Sequence, residues 1–318
     1  MRAFLHHDTK AAELPFAEGA ARFGSSELVW LHLDGQDEGA RGWIDGQSDI
    51  PPIVRDALRA SESRPRSVAI DGGAIVNLRG LAVQPKESPD ALVSIRFWAE
   101  KGRVVSFAYR PPTALATVID QFLGGAINDP GDLITAFATG MSAELDPEVA
   151  ALGDGLDMIE ARIDEETARS TRRKVSRIRA DAIGFRRFVA PQREALDRLS
   201  ALRCGWLDEE DQQHLREAAD RYARMAEELE AVRERAAIVH DELTDLRGEQ
   251  MDARALLLAI VALIFLPLTF ITGLLGMNVE GIPYAKESWA FWGVAGFCLL
   301  VGLSVLGWFV RAQWIKGR

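Results

Sequence analysis

Two stretches near the C-terminus contain no charged side chain: Ala255 to Val279, 25 residues, and Ser288 to Val310, 23 residues. At 1.5 Å per residue, either one as a helix crosses the roughly 30 Å of hydrocarbon in a bilayer. Core helices of soluble proteins rarely run past about 20 residues without a charge, so a membrane hairpin is the simpler reading. Trp289, Trp292, Trp308 and Trp314 flank the second stretch, where amphipathic rings prefer the headgroup level. Arg247 and Arg254 precede the first stretch and Arg311, Lys316 and Arg318 follow the second, whereas the link between them holds only Lys286. That bias predicts that both termini are cytoplasmic. The opening residues, MRAFLHHDTKAAELP, lack the apolar core of a signal peptide, so residues 1 to 254 are expected inside the cell. Cys204 and Cys298 suit a reducing compartment and form no CxxC motif.

Residues 1–145 mix short β-type runs with turn signals and predict a cytoplasmic α/β domain. Strands are expected at 28–35, 67–70, 74–83, 91–100 and 103–110, the last two as a hairpin about Lys101 and Gly102. Helices are expected in SDIPPIVRDALRA, capped by Ser48 or Asp49 with Pro51 in its first turn, and in TALATVIDQFL. From Asp146 and Pro147 the chain is expected to be wholly helical through 254, with breaks at Pro191 and Gly205 ahead of a long stalk helix from about Leu207. Glu160 to Arg203 carries 12 basic and 7 acidic residues, while Trp206 to Arg254 carries 15 acidic and 7 basic. The whole chain has a net charge of −10, which argues against nucleic acid as a partner, and two helices of opposite sign most simply lie side by side.

Asp208 and Asp211 open the acidic helix as a capping-box-like pair. Along it, Leu215, Ala218, Tyr222, Met225, Leu229, Val232, Ala236, Val239, Leu243 and Leu246 recur at spacings of three and four, a heptad seam. The same register continues through Ala253, Leu257, Val261, Ile264, Leu268, Ile271 and Leu275, which predicts one helix from near 207 to 277, about 105 Å long. Roughly opposite runs a second stripe: Asp241, Thr244, Gly248, Met251, Ala255, Leu258, Ala262, Leu266, Thr269 and Gly273. Small side chains there serve close helix packing or a wet axis shared with other copies, and the spacing alone leaves both open.

The run IFLPLTFITGLLGMN, 264 to 278, resembles the signature of the CorA family of divalent-cation transporters: a Pro-Leu-Thr-Phe stretch in the first of two C-terminal spans leads to Gly-Met-Asn at its outer end. HLDG, RPRS, NLRG and VSIRFW, starting at His32, Arg64, Asn77 and Val93, look more like the zinc-transporting ZntB branch than the magnesium branch. The resemblance implies a funnel-shaped homopentamer in the inner membrane, multi-pass with both termini cytoplasmic. It assigns 255–279 as the pore-lining span, 280–287 as an extracytoplasmic loop, 288–310 as the outer span and 311–318 as a basic cytoplasmic tail. Gly276, Met277 and Asn278 would form the filter, Asn278 offering five carboxamide oxygens to the water shell of a dication. Thr269, Gly273, Leu266, Ala262, Leu258, Ala255, Met251 and Asp241 would face the axis.

Where many magnesium transporters of the family carry Met-Pro-Glu-Leu after the filter, this chain has Ile282-Pro283-Tyr284-Ala285, so the acid after the proline is missing. Glu280 and Glu287 keep the mouth acidic, partly offset by Lys286. The resemblance therefore implies divalent-cation transport with Zn2+ as the carried ion, proton coupling being a further expectation and no resident cofactor being implied. Magnesium, nickel or cobalt through the same pore is the first alternative, and a membrane-anchored helical scaffold or sensor the second. Zinc favours His, Cys and carboxylate ligands, and the candidate metal contacts are His6, His7, His214 and His240. No P-loop, HExxH or GxSxG motif is present, so no enzyme activity is expected.

Overall fold

The computed structural model describes every residue except 8–9, 26, 61–63, 84–90, 163–167, 278–280, 283, 285 and 317–318. The chain divides into two compact units, Met1–Asp241 and Glu242–Arg318. In the first, seven strands form one mixed sheet: β1 Arg2–His7, β2 Lys10–Leu14, β3 Leu28–Asp34, β4 Arg66–Ile70, β5 Gly73–Leu81, β6 Leu92–Glu100 and β7 Arg103–Ala108. Their spatial order is β2-β1-β3-β7-β6-β5-β4, with β3 and β7 the single parallel pair. The central strands are apolar on both faces because helices cover both sides.

One face packs Leu33, Ile75, Trp98, Val105 and Phe107 against Ala40 and Ile44 of α2, Glu38–Gly46, and Val54 and Leu58 of α3, Pro52–Arg59. A short α1, Phe16–Ala21, lies on the same side, its Phe16 packed into this cluster. The alternate residues point the other way. There Phe4 stacks on Trp30 at 4.6 Å between ring centroids, and both meet Phe122 of α4, Ala114–Leu123, while Phe97 and Trp30 meet Phe137 of α5, Pro130–Glu160. Within this aromatic layer Trp30 Nε1 donates to Ser106 Oγ at 2.8 Å, and His32 Nδ1 shares a hydrogen bond with the same hydroxyl, also at 2.8 Å. Burial disfavours the charged ring of His32 and pulls its pKa down to about 4.

Several details differ from the sequence expectations. β1 and β2 were not anticipated. The helical part begins at Pro130, not Asp146: Asp129 caps α5 by accepting from Asp132 N at 2.9 Å, and the helix runs through Pro147. Likewise α6, Ala168–Ser200, runs through Pro191. The carbonyls these prolines free belong to Ala143 and Arg187, both exposed residues, where solvent can replace the lost bond and the helices continue. The expected cap of α3 is absent too; Pro51 precedes it, and Asp49 instead pairs with Arg103 at 2.9 Å. On α6 the Gln192 amide, almost fully buried, pairs with both backbone groups of Arg79 on β5: its Oε1 accepts at 2.6 Å and its Nε2 donates at 2.9 Å.

Helix α7, Glu209–Leu275, is unbroken over 67 residues. In the first unit its seam residues, Leu215, Ala218, Tyr222, Met225, Leu229, Val232, Ala236 and Val239, are all buried. Arg235 on one flank pairs with Glu160 of α5 at 2.6 Å, and Glu230 on the other with Arg186 of α6 at 2.9 Å. The helices of opposite sign thus lie side by side. In the second unit the rest of α7 and α8, Ser288–Lys316, are, among the described residues, the two helices long and apolar enough to cross a membrane.

His32 gives a measurable acid limit. Its folded pKa lies below its unfolded value, so the stability from keeping it neutral is complete above about pH 6.5 and is lost as pH falls toward 4, by up to about 3 kcal/mol. Thermal unfolding of the purified chain between pH 7 and 4 should show a steeper decline than that of the His32→Gln variant. Equal slopes would remove His32 from the account.

Candidate ion-conducting helix

In the second unit α7 shows two faces. Ile260, Ile264, Leu268 and Ile271 are half-buried, as are Ala290, Val294, Cys298, Val301 and Val305 on α8. Both sets follow helical spacing, and Gly302 lies so near that a Cβ there would sit 3.9 Å from Ile264 Cγ2. These seams face each other, with Cys298 among them as a small apolar filler. The opposite stripe, Ala255, Leu258, Ala262, Leu266, Thr269 and Gly273, is exposed along its length in the single chain, Leu266 by 74%. Ala262 and Leu266 also line an open apolar concavity of about 700 Å³ beside Pro267. The Thr272 hydroxyl is turned inward, donating to the carbonyls of Leu268 at 3.0 Å and Thr269 at 3.2 Å.

The helix closes at Gly276, whose N–H donates to Thr272 O at 2.9 Å, and Met277 beyond it is exposed. Asn278 and Glu280 lie outside the described residues. Glu287 is exposed just ahead of α8, its N–H donating to Tyr284 O at 3.0 Å, where a carboxylate favours the positive end of the helix dipole. Asp241, in the first unit, and Met251, in the second, are exposed on α7. The four candidate histidines are not brought together. His6 is buried edge-on to Phe122, whereas His7, its neighbour on β1, points to the other face and pairs with Glu27 at 2.7 Å. His214 is exposed, and His240 lies 3.5 Å from Ser176 of α6.

A family model described as "CorA-like Mg2+ transporter protein" matches residues 25–311. The chain belongs to the CorA family. It is 29% identical over 295 residues to the zinc transport protein ZntB of Yersinia enterocolitica, covering 92% of this chain and 89% of that one. It is 31% identical over 297 residues to the divalent cation transporter CmaX of Pseudomonas aeruginosa, covering 91% and 88%. Among solved structures, full-length CmaX superposes with a TM-score of 0.76 at 27% identity over 96% of this chain and 97% of that one. The CorA magnesium transporter of Methanocaldococcus jannaschii superposes with a TM-score of 0.81, over 99% of each chain at 15% identity, a likeness of fold alone. The resemblance to the ZntB branch is borne out, and the chain is a membrane protein of a divalent-cation transporter family.

This CorA-family chain also gathers three carboxylates that the sequence left apart. Asp208 and Asp211 cap α7 reciprocally: Asp211 N donates to Asp208 Oδ1 at 2.8 Å and Asp208 N to Asp211 Oδ2 at 3.1 Å. Asp129, the cap of α5, joins them, with oxygens of all three within 4.8 Å of one another. A Cβ at Gly131 would collide with the Asp211 carboxylate, so the missing side chain lets the two helix starts meet. The signal for this was local, Asp129-Pro130 being a cap followed by a first-turn proline, but the spacing of 79 positions between Asp129 and Asp208 hid the pairing. Burial, then the charge of Asp129, raises the Asp211 pKa to about 7. A carboxyl whose folded pKa is raised stabilises fully below the unfolded value and loses that stability as pH rises through 7. Asp211→Asn should therefore unfold at a higher temperature than the parent at pH 8, by roughly 1–2 kcal/mol in stability, with the gap narrowing as pH falls below 7 and closing below about pH 4. No gap at pH 8 would show that the cluster carries no excess charge.

Proposed function

We propose that this protein imports zinc across the inner membrane as a homopentamer, five copies of α7 lining one pore and five copies of α8 surrounding them. The observation that carries the proposal is the stripe Ala255, Leu258, Ala262, Leu266, Thr269 and Gly273, which stays open in the single chain while the other face of α7 meets α8. One hairpin cannot enclose water, so a stripe of small and hydroxyl side chains gains a role only beside copies of itself. In this arrangement residues 1–254 and the tail 311–318 are cytoplasmic, and Gly276, Met277 and Asn278 form the outer filter. Asn278 amides hold the water shell of the passing dication, Gly276 permits the close approach, and Met277 packs behind. Leu258 and Leu266 narrow the path, Thr269 and Gly273 wet it, and Met251 and Asp241 face the axis on the cytosolic side. Glu280 and Glu287 concentrate cations at the mouth, and a proton gradient drives uptake. The four histidines are left without a common metal site.

Zinc as cargo is supported by relatives named as zinc transport proteins and by a loop with Tyr284 where magnesium transporters of the family place an acid. Magnesium is the second reading, favoured by the Mg2+ in the family description. Zinc-65 uptake into proteoliposomes, repeated with a magnesium excess and with an imposed pH gradient, separates these. Zinc flux should survive the magnesium excess and rise with the gradient. Asn278→Ala should cut the flux roughly tenfold or more with the oligomer intact, since the amide ring is the water-shell contact. Unchanged flux in that variant would leave the hairpin as an anchor.

A further inference from the structure

In the first unit the buried seam of α7 holds one hydroxyl, that of Tyr222, a residue only 1% exposed. Among the described residues this hydroxyl has no hydrogen-bond partner, and neither has Oε2 of Glu144 on α5, which is also out of solvent. A buried donor or acceptor left unmet costs its full desolvation. The contacts around these two groups bring them to one level. Helices α5 and α7 run parallel: Gly131 meets Asp211, a Cβ on Gly153 would stand 3.9 Å from Val232 Cγ2, and Arg235 pairs with Glu160 at 2.6 Å. Glu144 lies 13 positions past Gly131 and Tyr222 lies 11 past Asp211, so both fall between the same contacts. Helix α6 runs the other way, Arg186 meeting Glu230 and Ser176 meeting His240, which sets Gln192 within a turn of the same level. Burial raises the pKa of Tyr222 and of Glu144, so the phenol keeps its proton and is the donor. Gln192 faces that phenol too, but its amide already serves both backbone groups of Arg79.

We propose that an internal water molecule is bound between Tyr222 and Glu144, accepting from the phenol and donating to Glu144 Oε2. Gln192 Oε1, which takes one bond from Arg79 N, keeps a second lone pair for the other proton of the water. Three polar partners are what a buried water ordinarily has. A metal ion does not suit the place, because a protonated phenol and one carboxylate oxygen fall short of the four or more ligands that a dication takes. The water gives the otherwise apolar seam a single register. Sliding α7 by one turn would set Ala218, Ala219, Met225 or Ala226 opposite Glu144, and none of these side chains can replace the phenol.

The inference concerns the first unit alone and would survive failure of the pore assignment. The test is X-ray hydroxyl-radical labelling of the full-length protein in nanodiscs, read by mass spectrometry. A bound water ionised by the beam makes its radical in place, so Tyr222 should be oxidised about tenfold faster than Phe137, which is fully buried among aromatic rings. Glu144→Leu should lose that excess, while Glu144→Gln, which keeps an oxygen at the site, should retain it. The ratio in the parent protein decides the matter even if the leucine variant fails to fold. In thermal unfolding, Tyr222→Phe combined with Glu144→Leu should lower the midpoint no further than Glu144→Leu alone. The idea is overturned if Tyr222 is labelled as slowly as Phe137, as a direct bond to Glu144 predicts, if Glu144→Leu leaves the labelling unchanged, or if the two losses in midpoint add.

Discussion

Hydrocarbon offers a backbone no hydrogen-bond partner, and that constraint organises this molecule. It forces 255–275 to be helical, and because the segment before it is also free of Gly and Pro from Trp206 to Arg247, the membrane helix and the long helix of the first unit are a single helix, α7. In the first unit α5 and α6 pair with the flanks of its heptad seam. The seam is apolar and buried in the first unit, where α5 and α6 flank it; in the second only Ile264, Leu268 and Ile271 of it are half-buried, toward α8, while Leu257 and Val261 are exposed on an apolar surface. One seven-residue rhythm therefore serves two solvents.

Charge is arranged along the same rod with less economy. Arg235 and Glu230 fix the flanks to α5 and α6 by ion pairs that are partly exposed, each worth little on its own. The start of α7 does the opposite, crowding acids where burial makes charge costly, so that Asp211 sits near its midpoint of titration at neutral pH. The reciprocal caps with Asp208 hold both helix starts in place even so.

Much of this was legible in the sequence, for identifiable reasons. The two spans and the seam announce themselves because burial by lipid or by helices needs long, periodic apolar patterns, and five strands show because both faces of a covered sheet are apolar. The edge pair β1 and β2 was missed because Lys10 to Leu14 is half polar and exposed, as an edge strand is. Pro147 and Pro191 misled because a proline breaks a helix only when the carbonyl it frees has nowhere to turn, and sequence does not reveal which side faces water. The stripe on α7 could be found but not interpreted, since the same small residues suit packing and a pore. The acid cluster and the Gln192 contact lay beyond reach because each joins residues far apart in the chain.

That Gln192 contact has a mechanical meaning. A single side chain stands in for the strand that β5 would otherwise meet at Arg79, and its two hydrogen bonds lie parallel. Sliding α6 along the sheet loads both at once, so they yield together or not at all. The joint is stiff in shear yet small enough to be cut by one residue change, and a displacement of α6 near Pro191 is delivered to β5, the strand next to the sheet's β4 edge, without slack.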